Sequence, residues 1–184
     1  MLFAYDTEAS LRAAVALVNS AVEPDTLTGI DQLDTWYEEH AFTGRRDSDA
    51  AELEALRELR PVLRVLLTTD RDHAAELVNS LLAEARALPQ LRRHDGLDWH
   101  IHAVPSDAPL ARRVAVEVAM AMIDLIRTDE LSRLAVCIDD RCECLVLDLS
   151  RNRSRRYCST TCANRNAVAA YRARGRQSPT SRSR

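Results

Sequence analysis

Lysine does not occur in this chain of 184 residues, so all 25 of its basic side chains are arginine. Glycine occupies four positions and aromatic residues make up 4%. Neither the phosphate-cradling glycine loop of nucleotide-binding folds nor a His-Glu-x-x-His metalloprotease pattern is present. What remains is rich in alanine, leucine, arginine and glutamate, which favour helices over sheets. No window of about 18 apolar residues occurs; the most apolar stretch, Val114 to Ile126, is broken by Glu117 and Asp124. The first ten residues carry Asp6 and Glu8 where a secretory signal needs basic residues and an apolar run. Together these absences predict a cytoplasmic protein with no membrane partner.

Two further absences are local. Cysteine is missing from the first 136 residues, and all five cysteines lie between 137 and 162. Acids are missing after residue 148: residues 149–184 hold ten arginines and no Asp or Glu. The preceding 148 residues hold the other 15 arginines and all 28 acids, a balance of -13 concealed by the net charge of -3. Such asymmetry points to a polyanion as partner of the basic part. In a reducing compartment a tight cysteine cluster indicates a metal site rather than a disulfide framework.

Apolar periodicity predicts a helix over residues 7–22 and a short one over Ile30–His40. A long helix is expected from Ser48 to Leu67, kinked or divided at Pro61, and another capped by Asp70 or Asp72 that stops before Pro89. Leu91–His94 and Leu97–Val104, joined at Asp95-Gly96, read as a β-hairpin. Ser106 to Arg127 reads as a central helix, apolar on most faces, and Asp129–Leu134 as a helical turn. The fold class expected is therefore mainly α with a small β-hairpin, an α+β domain over 1–133. A small four-cysteine, zinc-ribbon-like strand-and-helix module over 134–176 would come next, then a disordered basic tail, 177–184. The acidic domain suits dimerisation or the sensing of a small ligand between helices and hairpin.

Cys137 and Cys142 are separated by four residues, Cys158 and Cys162 by three, and the pairs by fifteen. Two short chelates joined by a loop long enough to turn back are what a tetrahedral thiolate site requires, and Cys144, on an apolar strand, reads as a packed hydrophobe. Cys144–Leu149 suggests a strand; Ser159 or Thr160 is expected to cap a helix running to Arg174 and stopped by Gly175. So small a unit lacks the core to fold alone, and one structural zinc ion would close the gap.

Leu134-Ala135-Val136-Cys137, Cys142, the run Leu147 to Ser159 and Cys162-Ala163-Asn164-Arg165 resemble the CGNR zinc finger. In that family the finger follows an ABATE domain, and Leu17-Val18-Asn19-Ser20 is similar to its early Phe-Val-Asn-Thr. The resemblance implies a bacterial DNA-binding transcription regulator, located at the nucleoid, with zinc on Cys137, Cys142, Cys158 and Cys162. The sequence departs from it at Ala163, where the motif has Gly, and at Cys144, where an aromatic residue is usual.

Arg151, Arg153, Arg155 and Arg156 precede the second cysteine pair; Arg165, Arg172, Arg174 and Arg176 lie on or after the helix. Loop arginines that clamp phosphates and a helix along a groove form one expected DNA interface, with Asn164 and Tyr171 as base or sugar contacts. Arg165, one turn from Cys162, suits a structural role beside the thiolates equally well. RNA or a protein partner is the alternative, and a homodimer would raise specificity. Asp98, His100 and His102 could share a second metal, but plain polar residues on an edge strand is the preferred reading. His73 reads as a solvated first-turn residue. No enzyme is expected.

Overall fold

The structure, a computed structural model, describes residues 3–93 and 98–177, the last three as backbone only. Six α-helices run in chain order: α1 (Tyr5–Asn19), α2 (Ile30–Glu39), α3 (Ala50–Thr68), α4 (Arg71–Glu84), α5 (Leu110–Arg127) and α6 (Thr160–Gln177). Two antiparallel strand pairs accompany them: β1 (Gln90–Arg92) with β2 (His100–His102), and β3 (Leu134–Val136) with β4 (Leu145–Leu147). The expected α+β class, with a cysteine module at the C-terminal end, is what is found.

Helix α5 lies at the centre and packs against α1, α3 and α4. Its buried residues, among them Val114, Val116, Ala119 and Leu125, fall on several sides of the helix, as the apolar sequence requires. It begins at Leu110, four residues later than expected, because Pro109 takes the cap position. Helix α3 is continuous through Pro61, so the expected kink does not divide it. The ring is exposed while Leu56, Leu63 and Leu66 on the opposite face are buried and hold both halves to one core. Asp49 caps α3 by accepting from the Glu52 N–H, and the Glu52 carboxylate accepts in turn from the Asp47 and Ser48 N–H groups just before the cap. Asp70, not Asp72, caps α4. The Asp95-Gly96 turn and the Ser/Arg tail from residue 178 lie outside the described residues.

Helix α1 ends at Asn19, three residues before expected, and that ending positions β4. The Asn19 side chain donates to the Leu145 carbonyl (2.9 Å) and accepts from the Leu145 N–H (2.6 Å). It satisfies both backbone groups on the edge of β4 that β3 leaves open. Leu134, Leu145 and Leu147 then join the same hydrophobic core as Leu11, Leu63 and Leu125. Packing is thus continuous across residue 133.

Buried arginines fix the loops. Arg133 donates to the carbonyls of Asp148 (2.9 Å) and Ser150 (3.0 Å) and to Glu130 (2.7 Å). Arg113 donates to the carbonyls of Ala108, Thr43 and Arg45. Between the last two, Gly44 takes φ +92°, and a Cβ there would sit 2.5 Å from the Ser106 carbonyl oxygen.

Candidate metal centre and nucleic-acid interface

Strand β3 delivers Cys137, whose N–H donates to the Cys144 carbonyl at 2.8 Å and closes the turn into β4. The Cys142 N–H donates to the Asp139 carbonyl at 2.9 Å, which folds the first pair back on itself. The second pair straddles the start of α6. Ser159 acts as its cap, its hydroxyl accepting from the Cys162 N–H at 3.3 Å, so Cys162 enters the first turn facing Cys158.

These four sulfur atoms all lie within 4.8 Å of one another, with Cys142–Cys158 at 3.5 Å and Cys158–Cys162 at 3.7 Å. Four thiolates around zinc at about 2.3 Å place neighbouring sulfurs about 3.8 Å apart, so the cluster suits one structural zinc ion. Its electrostatics point the same way. Burial works to raise the Cys142 thiol, yet hydrogen bonds from the Cys144 backbone and neighbouring thiols bring it down to about 7. Burial and the adjacent Cys142 and Cys162 sulfurs push Cys158 up. The set cannot release all its protons unaided, whereas a dication stabilises thiolates together. Cys144 stands outside the four, half-buried on the approach to β4.

Among the described residues this is the single group of three or more ligating side chains placed to hold a metal ion. Asp98, His100 and His102 do not gather into one. The His100 and His102 Nε2 atoms meet each other at 2.9 Å, and His100 Nδ1 lies 2.7 Å from the Asp98 backbone carbonyl. His73 is exposed in the first turn of α4 beside Glu76.

The arginines fall into two sets. Arg153 is held by Glu130 (2.8 Å), and Arg155 donates to the Cys158 carbonyl (3.1 Å), bracing the second cysteine pair. Arg165 lies 3.0 Å from the wholly buried Asp139 carboxylate, an ion pair rather than an aligned hydrogen bond. By contrast, Arg151, Arg156, Arg172 and Arg174 are exposed and have no acid partner among the described residues. Asn164 and Tyr171 are exposed on α6, Tyr171 at 73%. The Arg176 side chain lies outside the described ones. Helix α6 continues through Gly175 to Gln177, past the expected stop.

Sequence reasoning gives no role to Asn19 or Asp148 beyond their places in the family motifs, which are the one available signal. Asp148 accepts from the Ser150 and Arg155 N–H groups and shapes the arginine loop. Asn19 is the clamp on β4.

A helical domain whose core runs into a four-cysteine module with arginines on its surface defines a two-part zinc-finger protein. Residues 133–175 match the CGNR zinc finger, and residues 11–129 match the family described as "Putative stress-induced transcription regulator", ABATE. The latter match spans well over half the chain, which belongs to that family. These are regulator-like and zinc-finger families rather than enzyme families. No curated protein matches the chain. No helix among the described residues is long and apolar enough to cross a membrane.

Proposed function

We propose that this protein is a zinc-dependent DNA-binding transcription regulator. Cys137, Cys142, Cys158 and Cys162 bind the ion, residues 134–176 act as the reading module, and the helical part senses a ligand or dimerises. The observation that carries this reading is the state of α6 beyond its first turns. From Ala167 to Arg174 every residue is exposed. A helix with no buried face draws little stability from its own protein, and burial against a partner supplies what is missing. Asn164, Val168, Tyr171 and Arg172 share one face by helical spacing, and no acid interrupts residues 149–184. That chemistry suits a phosphate backbone with base edges between.

The zinc centre makes the helix possible. It ties the start of α6 to β3 and β4, while Arg165 and Asp139 lock the first turn over the buried sulfurs. Arg151 and Arg156 in the loop, with Arg172 and Arg174 on the helix, are then the phosphate contacts. Arg153 and Arg155 serve the module's own architecture.

The test is a salt titration of binding to duplex DNA by the zinc-loaded chain and by a triple variant, Arg156→Glu, Arg172→Glu, Arg174→Glu. Losing three phosphate contacts should flatten the log–log salt slope by about 3. Zinc content should stay at one per chain. An unchanged slope would move the interface elsewhere, and stronger retention of structured RNA than of duplex DNA would favour RNA as the partner.

A further inference from the structure

A cavity of about 580 Å³ opens between the start of α1, the loop after α2, the β1–β2 pair and the last three turns of α5. Its size is that of a small-molecule site. Tyr5, Phe42, Trp99 and Met120 contribute to its wall, and Tyr5 (56%) and Trp99 (63%) stand largely in water at its mouth. Aromatic faces left exposed around a concavity favour a ligand that is itself apolar.

The charges sort the ligand further. Asp6 and Asp124 face the cavity and are already engaged, Asp6 by the Ile101 N–H (3.3 Å) and Asp124 by the Thr7 hydroxyl (2.6 Å). Glu117 also lines it, is half-buried, and has no hydrogen-bond partner among the described residues. One arginine, Arg127, lies on the wall, with Tyr5, His40, His100 and His102 as the remaining titratable groups. On the far side of Glu117 stand Arg92 and Arg113. Their hydrogen bonds go to neutral groups, Arg92 to the Gln90 side chain and Arg113 to three backbone carbonyls, so both keep their charge, and Arg113 opposes part of the burial effect on Glu117 without lining this cavity. Three carboxylates against one guanidinium on the wall, with aromatic faces beside them, attract positive charge and repel negative charge.

We propose that this cavity is a binding site for a lipophilic organic cation, with Glu117 as the counter-charge and Trp99, Tyr5 and Phe42 as the aromatic wall. The proposal rests on the reading of the helical part as a sensor, and it is tested without DNA so that the two can fail separately. Glu117 ionises near pH 7 because burial raises it, so binding strengthens as pH rises through that value. Any proton leaving His40, His100 or His102 acts in the same direction, which is why a Glu117 variant must accompany a pH series.

The experiment uses the full, zinc-loaded chain and two probes of one shape and opposite charge, tetraphenylphosphonium and tetraphenylborate, followed by calorimetry and tryptophan fluorescence. The phosphonium should bind at least about tenfold more tightly than the borate, the worth of one partly buried ion pair. Glu117→Gln should weaken phosphonium binding at least about fivefold and shrink that preference, which Asp6 and Asp124 keep in part, while leaving helicity and zinc content unchanged. Ala9→Trp, which fills the cavity from α1 without altering charge, should block the phosphonium. Equal affinity for the two probes, no binding of the phosphonium, or full binding by Glu117→Gln would each overturn the assignment.

Discussion

Glu117 looks out of place on the most apolar helix of the protein, and its chemistry explains why it matters. Burial, opposed by Arg113 one turn away and reinforced by Asp6, raises its carboxyl from 4.5 to about 7. Between those values the folded chain holds a proton that the unfolded chain has released. Stability from this group is therefore fully present below about pH 4.5 and declines as pH rises to about 7, by up to about 3 kcal/mol. Glu117→Gln, which mimics the protonated acid, should leave the thermal midpoint unchanged near pH 4.5 and raise it by several degrees above pH 8. Scanning calorimetry at the two pH values decides it; a shift of the same size at both would show that packing, not ionisation, sets the difference. Sequence alone presents Glu117 only as an interruption of an apolar run. Nothing local reveals that the interruption faces a cavity, because the opposite wall comes from α1 and a hairpin remote in the chain.

At the scale of elements, Asn19 takes the place of a third strand beside β4. Leu145 is buried, and without the Asn19 amide its N–H and carbonyl would lose their partners. Each orphaned group costs about 1–3 kcal/mol, so Asn19→Ala should destabilise the chain by about 2–6 kcal/mol. Asn19→Asp, which keeps the acceptor and loses the donor, should fall between; chemical denaturation of the three forms measures the series, and equal midpoints would refute the clamp. The helices were legible in the sequence because their apolar residues repeat with the helical period, and Asp70 marks one start; the starts set by Asp49 and Pro109 were read at Ser48 and Ser106 instead. The four cysteines were legible because chelate spacing is a local property. Strand β3 was not, since three residues between a helical turn and Cys137 show no periodicity. Among the arginines, a structural role was open for Arg165 from its place one turn after Cys162, but not for Arg153, because Glu130, which holds it, is brought close only by the fold.

For the whole molecule, the metal centre and the helical core are parts of one packed body. Leu134, Leu145 and Leu147 lie in the main core, each worth about 1.5–3 kcal/mol of burial. The strands that carry them are pinned at one end by Asn19 and at the other by the cysteine cluster. A structural zinc contributes on the order of 10 kcal/mol of binding energy, part of which holds β4 against α1. Stripping the ion with a chelator should therefore do more than unfold α6. It should lower the thermal midpoint of the helical core and speed amide exchange at the C-terminal turn of α1, leaving α2, which packs on α3, comparatively unaffected. Ending the chain after Arg133 should be more damaging, since it removes the three leucines as well as the clamp's partner. If the helical core melts at the same temperature with and without zinc, and the truncated chain matches it, the two family segments are energetically separate. A ligand held beside α1 and α5 would then have no packed route to the arginines of α6.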